Sequence, residues 1–301
     1  MTGGGDDKRP RAQRAPKGRG RGERADPTER ANEARSERET LQALRPESVT
    51  VDPWQALRAH TPARIALGRS GVSLPTREVL AFGCAHAQAR DAVQRPLDAD
   101  ALERELNAAG FATLRVHSAA PDRATYLLRP DLGRRLDEAS RAALAERAPT
   151  LATLTAADWL LPVVGDGLSS LAVARHALPT LQALRARTPP GWALGPVVVA
   201  LQARVALADE IGAALHAPLT AMLIGERPGL SSPDSLGIYL TAEPKRGRSD
   251  AERNCISNIR PEGLSFMRAA HTLWWLAQAA RRGGGTGVRL KDASGAVALD
   301  G

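Results

Sequence analysis

Leu219-Thr220-Ala221-Met222-Leu223-Ile224-Gly225-Glu226-Arg227-Pro228-Gly229-Leu230-Ser231-Ser232-Pro233-Asp234 opens as an unbroken apolar run and ends in a polar stretch, and a second apolar run follows from Leu236 to Leu240. Runs of this length bounded by Gly and Pro read as strand, loop, strand. Two prolines and two glycines fix the path of the loop. Glu226 and Arg227 fall where the first strand runs out, the edge at which open α/β sheets bind ligands. Beyond the second strand, Arg253-Asn254-Cys255-Ile256-Ser257-Asn258-Ile259-Arg260-Pro261-Glu262-Gly263 is too polar for a core segment and leads into an apolar helix. It reads as a loop suited to a bulky polar ligand.

Working outward, further apolar runs at Trp159 to Val164 and Pro196 to Leu201, and a short last one at Val288 to Leu290, alternate with helical patterns. Residues 151–301 are therefore expected to form an open, Rossmann-like α/β sheet domain of about five strands. The front half has a helical rhythm. Pro75-Thr76-Arg77-Glu78 opens a run to Arg95, Leu102 to Leu106 is amphipathic, and Arg135 to Glu146 is a third such piece. Residues 47–150 thus read as an α-rich N-terminal domain.

Residues 1–46 read as a disordered basic tail and arm. Between Lys8 and Arg24 eight basic side chains face only Glu23, which accounts for most of the net charge of +8, and Gly and Pro separate them. Such a segment cannot bury enough apolar surface to fold alone. Pro27 to Leu44 is compatible with a helix but has few apolar anchors. The tail fits either weak RNA contact or adhesion to an acidic partner surface. The absence of aromatic residues for base stacking disfavours nucleic acid.

With 43% apolar residues among 301 but only 3% aromatic, the core must be filled by Leu, Val, Ala and Ile. No run of roughly 18 apolar residues is present, and charges occupy the N-terminus where a signal peptide would be hydrophobic, so a soluble cytoplasmic protein is expected. Cys84 and Cys255 are too few for a disulfide framework. The histidines at 60, 86, 117, 176, 216 and 271 include no pair at the spacing that puts two ligands on one helical face, so no protein-built metal site is expected. Gly165-Asp166-Gly167-Leu168-Ser169-Ser170 suggests a dinucleotide fingerprint, yet its third glycine would fall at Ser170 and no acidic residue follows the next strand. A tight strand-to-helix turn that needs small residues is the favoured reading. A nicotinamide-dependent oxidoreductase and a basic-tailed nucleic-acid adaptor are the alternatives left by residue type.

The stretches Leu223 to Thr241 and Arg253 to Leu264, with Gln202-Ala203-Arg204-Val205-Ala206-Leu207-Ala208-Asp209-Glu210 and Thr61 to Arg69, resemble the light (small) subunit of ethanolamine ammonia-lyase. The resemblance runs from about residue 50 to about residue 292. It implies a lyase that uses adenosylcobalamin to convert ethanolamine to acetaldehyde and ammonia by a radical route. It implies a large-subunit partner that carries the substrate pocket, and a hetero-oligomer with several copies of each chain. It also implies no catalytic residue here, and cofactor contacts at Val205, Glu226 and Cys255. The chain lacks the Asp-x-His-x-x-Gly motif of proteins that place a histidine on cobalt, so the cobalamin is expected base-on. By residue type alone the three positions have ordinary readings: a core valine, a surface carboxylate paired with Arg227, and a buried structural thiol. Two peripheral features depart from the family pattern: Ala208 stands where glycine is expected, and the Glu243 to Ser249 turn differs in length. Light subunits of this family can carry an N-terminal segment that directs the enzyme into a bacterial microcompartment. The Gly/Arg tail lacks the amphipathic pattern of such a segment, which counts against encapsulation.

Overall fold

The parallel strands at the centre of the sheet are apolar along their whole length because helices cover both of their faces. The computed structural model describes residues 52–151 and 158–295; the basic tail and arm expected over 1–46 lie outside the described residues. A 3-10 turn at Pro53–Ala59 is followed by α1 (Thr76–Gln94), α2 (Ala99–Ala108), β1 (Thr113–His117), α3 (Arg123–Leu128) and α4 (Glu138–Leu151). Then come β2 (Asp158–Gly165), α5 (Ser170–Ala186), β3 (Trp192–Leu194), β4 (Val197–Leu201), α6 (Leu207–Ala214), β5 (Leu219–Gly225), β6 (Leu236–Ala242), β7 (Asn254–Ile259) and α7 (Phe266–Gly283).

These strands form one seven-stranded sheet in the order β1-β4-β2-β5-β6-β7, with β3 pairing β2 off that path. β1, β4, β2 and β5 are mutually parallel, whereas β6 and β7 add an antiparallel edge. The two-residue period of a strand sorts its side chains between two cores. Leu160, Val164, Val197, Val199, Leu219 and Leu223 face α5 and α7. Leu161, Val163, Val198, Ala200, Met222 and Ile224 face α4 and α6, through Leu144, Leu207 and Ile211. With few aromatics, the tryptophans mark dense contacts: Trp274 meets Trp192 edge to face at 5.6 Å and donates to the Leu184 carbonyl at 2.9 Å.

The mixed α/β class and the expected strands at β2, β4, β5 and β6 are borne out. Three readings need correction. The front half is not purely helical, because Thr113–His117 pairs in register with β4, from Thr113↔Val197 to His117↔Leu201. This short edge strand carries Arg115 and His117 and leaves only Val116 buried, so its apolar signal is weak. Val288 to Leu290 is a turn rather than a strand, with the Leu290 N–H bonded to the Gly287 carbonyl at 2.9 Å and Val288 exposed. The sheet edge is instead taken by β7, inside the polar segment read as a loop. Only Ile256 and Ile259 of β7 are buried, and its other face is open.

A buried ion pair ties α6 to the antiparallel edge. Both guanidinium ends of Arg253 donate to Asp209, at 2.6 and 2.7 Å, and the same group reaches the Thr241 hydroxyl at 3.0 Å and the Arg248 carbonyl at 2.9 Å. Burial pushes the Asp209 carboxyl up, and Arg253 acts against that shift. Arg253→Ala leaves a carboxylate buried without its counter-charge, so it is expected to destabilise the chain by about 3–5 kcal/mol, read from urea unfolding midpoints.

On the opposite helical layer, His176 of α5 lies buried against Phe266, 3.5 Å from Asp234, which also accepts from Arg175 at 2.7 Å. Burial pushes the His176 pKa below 6.5, Asp234 and Glu262 oppose the shift, and Arg175 adds to it. The unfolded chain then binds the proton more readily than the folded one. This contribution is complete above the unfolded pKa and is lost as pH falls below it. His176→Gln is expected to flatten the decline of unfolding free energy between about pH 7.5 and about pH 5.5.

Candidate functional site

β2 and β4 are neighbours whose outgoing connections part: β2 leads into α5 in one helical layer and β4 into α6 in the other. Diverging connections open a crevice beyond the carboxyl ends of the strands. Its volume is about 420 Å³. Leu168, Val205 and Ile224 supply apolar surface, and Arg204, Glu226, Arg227 and Tyr239 supply hydrogen-bonding groups beside Tyr126, Gly167 and Gly225.

Asp166, at the end of β2, holds the wall together. Its buried carboxylate accepts from the backbone N–H groups of Gly167 at 3.0 Å, Gln202 at 3.0 Å and Ala203 at 2.8 Å, and from Arg123 at 3.3 Å. Burial pushes its pKa up, while the N–H groups and Arg123 act in the other direction. One side chain thereby joins the turn after β2, the loop after β4 and the helix α3.

The glycine-rich turn serves packing. Gly167 has φ +57, and a Cβ there would meet Ile224 Cγ1 at 2.6 Å. The next N–H, of Leu168, donates to the Gly225 carbonyl at 3.0 Å. Ser169 caps α5 by accepting from the Ala172 N–H, and its hydroxyl donates to the Pro233 carbonyl at 2.7 Å. Small residues are needed because the β2 turn and the end of β5 press backbone against backbone.

α3 delivers Tyr126, whose hydroxyl donates to the Ala203 carbonyl at 3.0 Å. The guanidinium carbons of Arg123 and Arg204 lie 4.8 and 4.2 Å from its ring centroid, two cation–π contacts on one aromatic. Burial pushes this phenol up to about 12. Arg204 also donates to the Tyr126 carbonyl at 3.2 Å. This stack presents Arg204 and Val205 to the crevice.

Across the opening, the Glu226 N–H donates to the Ser235 carbonyl at 2.9 Å, and its carboxylate accepts from the Ser235 hydroxyl and, at 3.4 Å, from the Asn258 N–H. Gly237 leaves the necessary space, since a Cβ there would come within 2.7 Å of a Glu226 oxygen. Tyr239 and Cys255 are cross-strand partners on β6 and β7. Burial, with Cys255 and Glu226 adding to it, pushes Tyr239 up to about 12. Atoms packed around the Cys255 thiol raise its pKa, although the residue keeps an open side.

Val205 and Glu226 therefore line one crevice, and Cys255 stands beside it as the strand partner of the lining residue Tyr239. Val205 is half-buried rather than core, Glu226 bonds to Ser235 and Asn258, and Cys255 is an exposed strand residue rather than a buried thiol on a loop. The sequence reading missed Tyr126, Asp166, Arg204 and Tyr239 as members of the site. Asp166 and Arg204 lie inside motifs already quoted, where a charged residue flanked by small residues at a strand end was the available signal. Tyr126 offers no local signal.

The sequence profile described as ethanolamine ammonia-lyase light chain (EutC) matches residues 51–291. A protein of Ralstonia nicotianae called ethanolamine ammonia-lyase small subunit is 56% identical over 253 residues, covering 83% of this chain and 92% of its own length. Proteins of the same name from Pseudomonas aeruginosa and Azotobacter vinelandii are 55% and 54% identical, covering 85% and 84% of this chain and 93% of each relative. The matched region takes in all the residues that line the crevice, and the chain belongs to the ethanolamine ammonia-lyase light-chain family.

Proposed function

We propose that this chain is the small subunit of an adenosylcobalamin-dependent ethanolamine ammonia-lyase, which converts ethanolamine to acetaldehyde and ammonia, and that its strand-end crevice holds one side of the cobalamin against a large subunit. The observation that carries this reading is the meeting of Val205 and Glu226 in one crevice with Cys255 alongside. The sheet is read as Rossmann-like because its parallel strands converge on a switch point. The working division keeps residues 47–150 as the helical front domain, with β1 contributed to the sheet of residues 151–301.

The donor set suits the ligand. A corrin carries amide side chains around an apolar ring, and its nucleotide tail adds sugar hydroxyls. The crevice offers apolar surface from Leu168, Val205 and Ile224 beside Arg204, Glu226, Arg227 and Tyr239. Glu226 accepts from amide N–H or sugar hydroxyl groups, and the arginines donate to amide carbonyls. Arg204 Nε is buried and has no partner among the described residues, an N–H that a ligand carbonyl satisfies. The cobalamin is read as base-on because the sequence has no Asp-x-His-x-x-Gly motif.

When bound, the cofactor supplies the radical chemistry. This chain's residues bind it, orient it and exclude water from one side. Substrate recognition belongs to the large subunit in a hetero-oligomer with several copies of each chain. Residues Gly165 and Gly167 are occupied with packing against Met222, Ile224 and Gly225, which removes the main support for a nicotinamide fingerprint. No described helix is long and apolar enough to cross a membrane. We place the enzyme in the cytoplasm, with the tail giving no support for microcompartment targeting.

Glu226→Leu, co-expressed with the large subunit, is expected to lower cobalamin affinity roughly 10- to 100-fold through loss of a charge-assisted hydrogen bond. The readout is corrin absorbance retained after gel filtration, with circular dichroism to confirm folding. Unchanged retention removes Glu226 from the site. The chain alone is expected to show no ethanolamine turnover, with activity appearing on addition of the large subunit.

A further inference from the structure

α1 is a 19-residue helix of which only Ala92 is buried. Val79, Leu80 and Phe82 are 52%, 67% and 48% exposed, and in the arm before the helix Trp54 and Leu74 are 65% and 51% exposed, with Val72 fully so. A protein helix gains most of its stability from packing an apolar face, and in isolation a helix of this length is marginal in water. An apolar surface of this extent, contributed by one contiguous segment, marks an interaction site.

The fastenings to the body are at the edges. The Arg95 carbonyl accepts from Ser170 at 2.7 Å, the Val93 carbonyl accepts from Arg123 at 2.8 Å, and Arg64 donates to the Leu230 carbonyl at 3.3 Å. On the first three turns of α1, Arg58 reaches Glu78 at 3.4 Å and the Arg64 guanidinium carbon lies 5.8 Å from the Phe82 ring centroid, while Val79 and Leu80 stay more than half exposed.

We propose that this face of α1, with the arm leading into it, is the docking surface for the large subunit, and that the covering surface is apolar with an acidic rim. The identity of the occupant rests on the small-subunit reading above. Two observations select it. The segment is net basic, with Arg58, Arg64, Arg69, Arg77, Arg90 and Arg95 against Asp52, Glu78 and Asp91. Arg77 and Arg90 keep 77% and 69% of their side-chain exposure, Asp91 keeps 72% at 3.5 Å from Arg90, and Glu78 is drawn inward by Arg58 and Arg77 at 3.4 and 3.0 Å. A symmetric pair of this chain would press like charges together, whereas an acidic rim complements them. The surface is also continuous with the crevice. Arg64 bonds the loop that follows Glu226, and Arg123 bonds both α1 and Asp166. A chain lying over α1 therefore reaches the crevice rim, where the other half of the cofactor site is required.

The full chain is co-expressed with the large subunit, and association is measured by co-purification and by titration of the purified partners. Leu80→Glu combined with Phe82→Glu is expected to weaken association at least about tenfold while leaving the unfolding midpoint unchanged, because neither side chain belongs to the core. Arg77→Glu with Arg90→Glu is expected to weaken it about tenfold at low salt and less at about 1 M salt. Val288→Glu, exposed elsewhere, is expected to bind as the original chain does. Normal assembly of both double variants overturns the proposal. So does a dimer of the chain alone that Leu80→Glu with Phe82→Glu dissolves, since the occupant is then a second copy. Failure of the unaltered chain to bind the large subunit overturns the small-subunit reading itself and is told apart by that control.

Discussion

The buried carboxylate of Asp166 is the constraint on which the crevice depends. A lone charge in the interior costs several kcal/mol, and it is tolerated only where hydrogen bonds and an opposite charge surround it. Here the donors come from three places: the turn after β2, the loop after β4, and Arg123 of α3. Meeting the needs of one carboxylate therefore fixes three segments far apart in the chain. Arg123 then continues outward, over Tyr126 on one side and to the last turn of α1 on the other. The wall that carries Arg204 and Val205 and the last turn of α1 are linked through the same guanidinium.

The opposite wall follows a different logic. β6 and β7 are antiparallel additions to a parallel sheet, and one face of β7 has no helix over it. That open face is what leaves Cys255 accessible beside Tyr239. Gly237 provides the space in which the Glu226 carboxylate folds back to Ser235 and Asn258. The Arg253–Asp209 pair, deep behind this edge, holds the start of β7 on α6. One wall is thus rigid through backbone N–H bonds to a carboxylate, and the other through a buried ion pair and close glycine contacts. Between these walls the crevice sets apolar surface beside hydrogen-bonding side chains.

Legibility in the sequence tracked burial. β2, β4, β5 and β6 announce themselves because strands covered on both faces are apolar throughout. β1 and β7 do not, since an edge strand needs only alternate or occasional apolar residues: Val116 in one, Ile256 and Ile259 in the other. Val288 to Leu290 shows the reverse case, in which two apolar residues flanking Arg289 form a turn rather than a strand. The three anticipated contact positions were named by resemblance, not by local pattern. Tyr126 and Tyr239 became members of the site only through packing.

By itself the sequence determined the α/β class, the places where apolar strands end in polar loops, and the family, because periodicity and local motifs are written in consecutive residues. Tertiary structure alone decided the order of strands, the capture of β1 by β4, and the convergence of Asp166, Tyr126, Arg204, Glu226 and Tyr239 on one crevice. Those relations depend on which strand edges pair and on which helical layer each connection enters. Both are set by contacts between residues remote in the chain, which no local pattern encodes.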